Sequence, residues 1–397
     1  MQKSISKAAI TWRLILSGFI VISLISCEDT NTVGGGVVEP VDIIIDTLYV
    51  NDFEQQQLDI FSGGLSNLPM GKYSDPLFGD FEITGYIKPV LLTTPTNPLN
   101  DSTDLKLLLT TNLDRAYGDT TEAVDFSIYK VTQRWRENEV LATDNITYDS
   151  GNLLGSFTYV DQDSIIIDIS ESYLLEYAEY VNNDDDDRDS LYNFEFFGLA
   201  IVPDAPSSQI IFPSIIDSKF LTIKETDTVS VAFRDHAFTV NRANESVFND
   251  RIYLNNFLES FYRINFEDLA NGIDPKNILK ADLYLYEDRL QMGNSLPVNH
   301  TRPEIEFLDL RYANSQNLRY DLQLVQPDFV AFRDTLDNSF KFDITQHINS
   351  YLFGEPSEKE FYLTLGVNGG ILNASTFYDS SATTELRPKI ILTIASE

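Results

Sequence analysis

The sequence predicts an all-β protein made of two tandem β-sandwich domains, jelly-roll-like, with one short helix each. Short runs of β-branched and aromatic residues recur along the chain, separated by clusters of Gly, Pro, Asn and Asp. A hydrophobic share of 43% with 12% aromatic residues is typical of a globular protein. Landmarks of the first half also return in order in the second half, which indicates a duplication.

Residues 1–26 are predicted to be a secretory signal peptide. A basic head precedes the apolar run 14–25, which is shorter than the roughly 20 residues that span a bilayer. The run ends in Leu24-Ile25-Ser26 directly before Cys27. This ending resembles a bacterial lipobox, and the resemblance implies cleavage before Cys27 and lipidation of its thiol. Membrane attachment through this lipid is therefore expected, with several acyl chains giving a stable anchor.

Cysteine usage supports the same interpretation. Cys27 is the one cysteine of the chain. The sequence therefore excludes an intramolecular disulfide, a thiolate metal site and a catalytic thiol elsewhere in the chain.

Residues 27–40 are predicted to form a flexible tether, because Gly34-Gly35-Gly36 has no side chains to pack. Glu28 and Asp29 are similar to the acidic signals that send some Bacteroidota lipoproteins to the cell surface. An ordinary solvated linker is the alternative. The expected location is the outer membrane, on its periplasmic or its cell-surface side.

The two domains are predicted at residues 41–240 and 241–397, divided near residues 241–249. The first strand is expected at 41–50, where β-branched residues and tyrosine dominate. Further strands are expected at 105–110, 126–132, 164–169, 194–202, 229–233, 282–286 and 389–394.

The duplication depends on four landmarks. Residues 165–170, which include Asp168, are echoed by 340–345, which include Asp343, and in both cases a hydroxyl residue then opens a predicted helix. Tyr86 matches Tyr262, and Asp104 matches Asp282. Residues 194–202 have their counterpart in 361–367.

Charge makes nucleic acid an improbable partner. The formal net charge is -33, and such a surface repels phosphate backbones. The expected partners are the membrane, through the lipid, and an envelope protein or a polysaccharide.

Gly71-Lys72-Tyr73-Ser74-Asp75-Pro76-Leu77-Phe78-Gly79, Thr32-Val33-Gly34 and Tyr117-Gly118-Asp119 carry a family resemblance. They resemble the uncharacterised Bacteroidota lipoproteins called domain of unknown function 4270. The resemblance implies a location and a fold but no activity. By its own chemistry, Ser74-Asp75-Pro76 predicts a turn, because Pro fixes φ, and a conformational role is favoured over a binding role.

A second resemblance covers the C-terminal end. Phe377-Tyr378-Asp379-Ser380, followed by the run 386–394, resembles the closing strands of jelly-roll modules found beside polysaccharide-degrading enzymes. Some of these modules bind glycans, so the resemblance implies architecture and only faintly a ligand.

No catalytic function is predicted. The chain has three histidines, with no Gly-x-Ser-x-Gly elbow and no His-Glu-x-x-His motif. A glycosidase needs two carboxylates, and Asp168 and Asp343 recur, but their place before a helix favours a structural role. No cofactor and no metal site are predicted.

Two features of the sequence are compatible with ligand binding. The acidic run 182–189 is interpreted as a solvated loop, with calcium binding as the alternative. Trp135, flanked by Arg134 and Arg136, is interpreted as a core anchor, with a ligand platform for sugar as the alternative. The function expected from the sequence is a lipid-anchored cell-envelope protein with a non-catalytic binding or assembly role. The alternative is a surface glycan-binding protein.

Overall fold

The computed structural model describes residues 42–93, 98–111, 115–205, 207–244, 250–256, 260–264, 278–314, 316, 318–320, 325–353, 359–366 and 368–396. The predicted signal peptide, Cys27 and the predicted tether lie outside these residues. The fold is mostly β, with 52% strand and 13% helix, as the sequence predicts. Ile45–Ile394 form one compact unit, and the described terminal residues 42–44 and 395–396 belong to a second, small unit.

Strands dominate the first half of the chain. They are β1 (Asp42–Tyr49), β2 (Phe53–Gln57), β3 (Met70–Asp75), β4 (Gly79–Pro89), β5 (Thr103–Thr110), β6 (Tyr117–Asp119), β7 (Val124–Val131), β8 (Tyr148–Tyr159), β9 (Ser164–Ile169), β10 (Leu199–Pro203), β11 (Gln209–Ile211), β12 (Lys219–Lys224), β13 (Asp227–Val231) and β14 (Phe233–Ala243). The helices of this half are α1 (Glu171–Val181) and α2 (Arg188–Glu195).

The second half continues in the same style. Its strands are β15 (Arg251–Asn255), β16 (Ser260–Ile264), β17 (Ile278–Tyr286), β18 (His300–Thr301), β19 (Phe307–Asn314), β20 (Phe329–Asp334), β21 (Ser339–Asp343), β22 (Lys359–Thr364), β23 (Ala374–Tyr378) and β24 (Lys389–Ser396). Its helices are α3 (Arg289–Asn294) and α4 (Thr345–Phe353), and a 3-10 turn covers Asn368–Gly370.

The strand pairings of the two halves largely correspond in the described part of the chain. In the first half the order β13-β12-β5-β9 forms one sheet, and β8-β7-β10-β4-β3-β11 forms the main path of another. In the second half the orders β1-β24-β17-β21 and β20-β19-β22-β16-β15-β23 repeat both paths. There, however, β20 also pairs with β21, so the two paths form one 11-stranded sheet, whereas β8 and β9 of the first half lie in separate sheets. All the pairs whose register is known are antiparallel, as expected when short turns connect successive strands.

Strand register refines the predicted duplication at one landmark. Asp168 lies opposite Lys106 on β5, and Asp343 lies opposite Asp282 on β17. Lys106, rather than Asp104, is therefore the counterpart of Asp282. The alignment from sequence is therefore shifted by two residues at this landmark. Side chains alternate between the two faces of a strand, so a shift of two residues preserves the inward and outward pattern and is not visible in the sequence.

The buried apolar side chains form two main clusters, and the larger one, mostly of the first half, also includes second-half residues such as Tyr253. Leu105, Leu107 and Ile167 belong to the larger cluster, while Leu283 and Phe342, at the corresponding places, belong to a separate cluster. One helix of each half adds side chains to these clusters. Tyr173 and Tyr177 of α1 are buried in the first cluster, and Ile348 and Leu352 of α4 pack on the second.

The prediction of one short helix per half was incomplete. Ser170 is the expected N-cap of α1, since its Oγ accepts from the Ser172 amide at 3.3 Å. However, α2 follows and includes Phe194 and Glu195, so the strand predicted over 194–202 begins only at Leu199. The short α3 is a further addition, in the second half.

Several of the described strands cross the predicted boundary between domains, and β14 itself spans residues 240 and 241 while pairing with β4. β2 pairs with β16, and β1 lies next to β24, so the first two strands belong to the sheet of the second half. In the other direction, β18 pairs with β6. The division at residues 240 and 241 stays a prediction, and the halves share strands on both sides of it.

Candidate functional site

The Gly71–Gly79 motif forms the β3–β4 hairpin, and its aspartate points inward. Asp75 Oδ1 accepts hydrogen bonds from the amides of Leu77 at 2.7 Å and Phe78 at 2.9 Å, which closes the predicted turn. Pro76 is exposed at the tip. Gly79 has φ 89°, and a Cβ there would lie 2.6 Å from the Asn244 carbonyl oxygen, so the turn requires glycine.

Arg302, from the second half, reaches this hairpin and forms a bidentate ion pair with Asp75. Its Nε and Nη2 both lie 2.6 Å from the Asp75 carboxylate. The two side chains are 5% and 0% exposed, so the pair is enclosed. Arg302 Nη1 also donates to the Met292 carbonyl at 2.7 Å and to Ser295 Oγ at 3.0 Å. The ion pair is thus hydrogen-bonded on both sides, which offsets the cost of burying two charges.

Aromatic side chains enclose the pair. Tyr117 donates its hydroxyl to Asp75 Oδ2 at 2.9 Å, and the Arg302 guanidinium lies 4.8 Å from the Phe78 ring centroid. Tyr73 packs against Tyr117 with ring centroids 5.3 Å apart. Burial, reinforced by the Asp75 carboxylate, raises the pKa of both tyrosines well above the ordinary value. Both phenols therefore stay protonated.

An Asp–His–Tyr line at this junction is the arrangement in the described residues that most resembles catalytic machinery. His300 Nδ1 lies 3.0 Å from the Tyr73 hydroxyl, and His300 Nε2 lies 3.6 Å from Asp119 Oδ2. A histidine backed by a carboxylate can activate a hydroxyl nucleophile, but Tyr73 is 2% exposed and its pKa is raised rather than lowered. The geometry is that of a structural network rather than of a nucleophile.

The other two histidines also have structural neighbours. His236 Nε2 lies 2.7 Å from the Leu65 carbonyl oxygen, and its Nδ1 lies 3.4 Å from Glu137. His347 is in edge contact with the rings of Tyr312 and Phe329, with centroids 4.8 Å away in both cases. These contacts are a backbone carbonyl, a carboxylate and two aromatic rings, and they favour structural roles for both histidines.

Trp135 lies in a satellite core, at 8% exposure, with Tyr86 and Val131 among its neighbours. Its indole N–H donates to the Phe197 carbonyl at 2.8 Å. Both the ring and its polar atom are therefore occupied inside the protein. This burial favours the core-anchor interpretation over the ligand platform, because a sugar needs an open ring face.

Asp168 and Asp343 occupy corresponding strand ends but make different contacts. Asp343 Oδ1 accepts from the Thr345 amide at 3.1 Å, as expected of an aspartate at a strand–helix corner. The Thr345 hydroxyl donates to the same oxygen at 2.5 Å, and this bond, helped by the amide, lowers the pKa of Asp343. Asp168 instead pairs with Lys106 at 2.6 Å on the exposed face of the sheet. Both contacts favour structural roles over a glycosidase pair.

The acidic run 182–189 connects α1 to α2. Asn182 accepts from the Leu99 amide at 3.0 Å and donates to the Leu99 carbonyl at 2.7 Å, so its side chain ties the run to a neighbouring loop. Asp184–Asp187 are exposed. No group of three or more His, Cys, Asp or Glu residues in the described ranges could hold a metal ion.

An exposed apolar strip, which the sequence analysis missed, runs along the outer face of β19 and β20. Phe332 is 73% exposed and Val330 43% exposed, and Phe307 lies opposite Phe332 with ring centroids 6.3 Å apart. Leu336, 93% exposed, follows β20 in the next turn. Phe329-Val330-Ala331-Phe332 is apolar at every position, so the period-2 signal that tells an inner from an outer face is absent. We call Phe307, Val330 and Phe332 the outer strip.

No family model matches the chain, and no curated protein matches it. A solved structure, the collagen adhesin from S. aureus, matches 84% of this chain and 81% of its own chain at 10% sequence identity, with a TM-score of 0.15. That TM-score carries no argument about fold or function. No helix in the described ranges has the length and apolar character needed to cross a membrane.

Proposed function

We propose that this chain is a lipid-anchored cell-envelope protein whose β-rich body has a non-catalytic binding or assembly role. In this proposal the body consists of two tandem jelly-roll-like sandwiches. The repeated strand pairings and the two separate cores support that division. Cys27 carries the lipid, and the location is the outer membrane, on its periplasmic or its cell-surface side, in a protein of the Bacteroidota lipoprotein kind.

The outer strip is the observation that carries the binding role. Exposed apolar side chains are ordinary when scattered, but adjacent ones on one sheet face mark interaction surfaces. Aromatic residues are also enriched where protein partners bind. The strip therefore suits a protein partner with a complementary apolar surface. The remaining surface is strongly acidic, as the net charge of -33 requires, and it would discourage non-specific association.

Site-specific photo-crosslinking in cells tests this role. A photoreactive residue replaces Phe332 in the outer strip or, as the matched control, Leu153, which is 54% exposed on β8. We expect one discrete adduct from position 332 that disappears when Val330→Asp is added, with no such adduct from position 153. Equal adducts from both positions would contradict a partner at the strip.

The anchor is tested separately. Labelling cells with a radioactive or clickable fatty acid should mark the wild-type protein and leave Cys27→Ser unmarked. Membrane fractionation should move that variant from the membrane to the soluble fraction. Equal labelling of both proteins would remove Cys27 from the proposal.

Surface glycan binding is the second candidate, and one observation favours it. The Phe332 ring is open enough for a sugar to stack on it. Affinity electrophoresis of residues 28–397 against plant, host and bacterial polysaccharides, with and without calcium, tests this candidate. Retardation that is lost in Phe332→Ala would support it, and a failure of every polysaccharide to retard the protein would eliminate it. Trp135→Ala is a poor probe, because it removes a buried side chain.

A further inference from the structure

We propose that the edges of β16 and β24 form an acceptor site for the strand pair 42–57, donated across the duplication. We call β1–β2 and β13–β14 the leading pairs. Each leading pair precedes a block of the chain with the same strand order, β3 to β12 in one case and β15 to β24 in the other. In the folded protein the pairing is exchanged. The pair β1–β2 completes the sheets of the later block, β15 to β24, and the pair β13–β14 completes the sheets of the earlier block, β3 to β12.

The two leading pairs are related in sequence. Asp46-Thr47-Leu48-Tyr49-Val50 is echoed by Asp227-Thr228-Val229-Ser230-Val231, and a phenylalanine follows shortly after each, Phe53 and Phe233. Both segments form a first strand and continue into a second. The echo makes each leading pair the start of one copy of the duplicated unit.

Strand register shows that the leading pairs occupy corresponding places. β14 runs antiparallel to β4 with Ala237 opposite Tyr86. β2 runs antiparallel to β16 with Gln55 opposite Tyr262. Tyr86 and Tyr262 are corresponding residues of the two blocks, so β2 has in the second block the place that β14 has in the first. The preceding strands agree, because β13 pairs with β12 and β1 neighbours β24.

Residues of the leading pairs are buried in the cores that they complete. Val50 is 1% exposed within the second core, and its amide donates to the Pro388 carbonyl at 3.0 Å, next to β24. Leu48 and Phe53 pack against the same core. Val231, at the matching position, is 1% exposed within the first core. Each half therefore draws part of its core from the leading pair of the other copy.

Matched point variants of residues 28–397 test the exchange without deleting a strand. We expect Val50→Ala to speed hydrogen exchange in β16, β17 and β22 about tenfold, with β5 and β12 unchanged. Val231→Ala should do the reverse, speeding exchange in β5 and β12 and sparing β17. If Val50→Ala loosens the first half, or both halves equally, the proposal fails.

A complementation experiment tests the acceptor site itself. Residues 58–397 are mixed with a synthetic peptide of residues 42–57, and a peptide carrying Val50→Asp and Phe53→Asp serves as the control. We expect the unmodified peptide to restore slow exchange in β17 and β16 and the control peptide to restore nothing. A correctly folded truncated protein that binds neither peptide would overturn the proposal. If the truncated protein does not fold, the two valine variants decide.

Discussion

At the scale of single residues, the Asp75–Arg302 pair joins the two halves of the chain. Asp75 receives two amide donors from its own hairpin, the Tyr117 hydroxyl and the Arg302 guanidinium. A buried carboxylate that has so many donors orients its neighbours and has no lone pair left for a ligand. The turn motif of the first half is therefore completed by an arginine that lies far along the sequence.

Removing this charge should be costly. Asp75→Asn leaves the Arg302 guanidinium buried without its counter-charge, and breaking such a pair costs about 3–5 kcal/mol. We expect that loss in the free energy of unfolding measured by urea denaturation. Glu82→Gln is the control, because the Lys72–Glu82 pair is 40% exposed on both sides, and exposed pairs are worth about 1 kcal/mol or less. Equal losses for the two variants would contradict a buried joint.

Lys88 on β4 is a second buried charge, 4% exposed, and its partners are weak. Its Nζ donates to the Tyr192 carbonyl at 3.1 Å and lies 4.4 Å from the Tyr192 ring centroid. Burial, with Arg234 nearby, lowers the pKa of Lys88 to about 8. Between pH 8 and the ordinary value of 10.5, the unfolded chain keeps a proton that the folded protein has released.

This difference predicts a pH-dependent gain from Lys88→Met. Below pH 8 the folded wild type carries the full cost of a buried charge, about 3 kcal/mol at most, and the variant avoids it. As the pH rises from 8 towards 10.5, the wild type loses this cost, so the advantage of the variant should shrink. Thermal melts of both proteins at pH 7, 8, 9 and 10 measure it. A difference in Tm that stays constant with pH would show that Lys88 does not titrate in this window.

At the scale of secondary-structure elements, the approach of β11 to β3 depends on one glycine. Gly71 has φ 137°, and a Cβ there would lie 2.2 Å from the Gln209 carbonyl oxygen. Residues other than glycine rarely adopt this backbone conformation. The atom that a Cβ would meet also belongs to the backbone, so it cannot move aside as a flexible side chain could. The strand pair can therefore form only if this position lacks a side chain.

Gly71→Ala should separate β3 from β11 and destabilise the first half by more than about 1 kcal/mol. Gly151→Ala on β8 is the matched control, because a Cβ there meets nothing closer than Asp149 Oδ1 at 3.4 Å. Urea denaturation of both variants gives the comparison. A Gly71→Ala protein as stable as Gly151→Ala would mean that the strands adjust without cost.

Sequence patterns predicted where strands lie better than which residues they contact. The period-2 run at 164–169 became β9 residue for residue, because alternate isoleucines face the core. The Phe194 region was misread because its aromatic residues suit a strand. Instead α2 leaves Phe194 exposed, and Phe196, at the C-cap of α2, packs beside Tyr180 and Tyr192. The Asp75–Arg302 pair could not be predicted, since no local pattern relates a turn aspartate to an arginine in the other half.

At the scale of the whole molecule, charge is the dominant property. With a net charge of -33, the folded protein carries repulsion that unfolding relieves by spreading the charges apart. Added salt screens exposed charges and leaves the enclosed Asp75–Arg302 pair largely unaffected. Stability should therefore rise with ionic strength.

The prediction is tested by thermal melts of residues 28–397 in 20 mM and in 500 mM NaCl, where the Debye length is roughly 20 Å and 4 Å. We expect Tm to be a few degrees higher at the higher salt concentration. The same increase in KCl is expected, because screening does not distinguish the two cations. A Tm that falls with salt would mean that favourable surface ion pairs outweigh the repulsion. An increase confined to NaCl would indicate a sodium site instead.

The pairing of the first described strands with the last one also governs how the protein is made. Val50 emerges from the ribosome long before the Pro388 carbonyl that accepts its amide hydrogen bond. During that interval an apolar, strand-forming segment has no native partner, and such segments are prone to aggregate. Pairing between the two ends of a chain is also slow, because it closes a long loop. Folding of the second half is thus expected only after β24 has been synthesised.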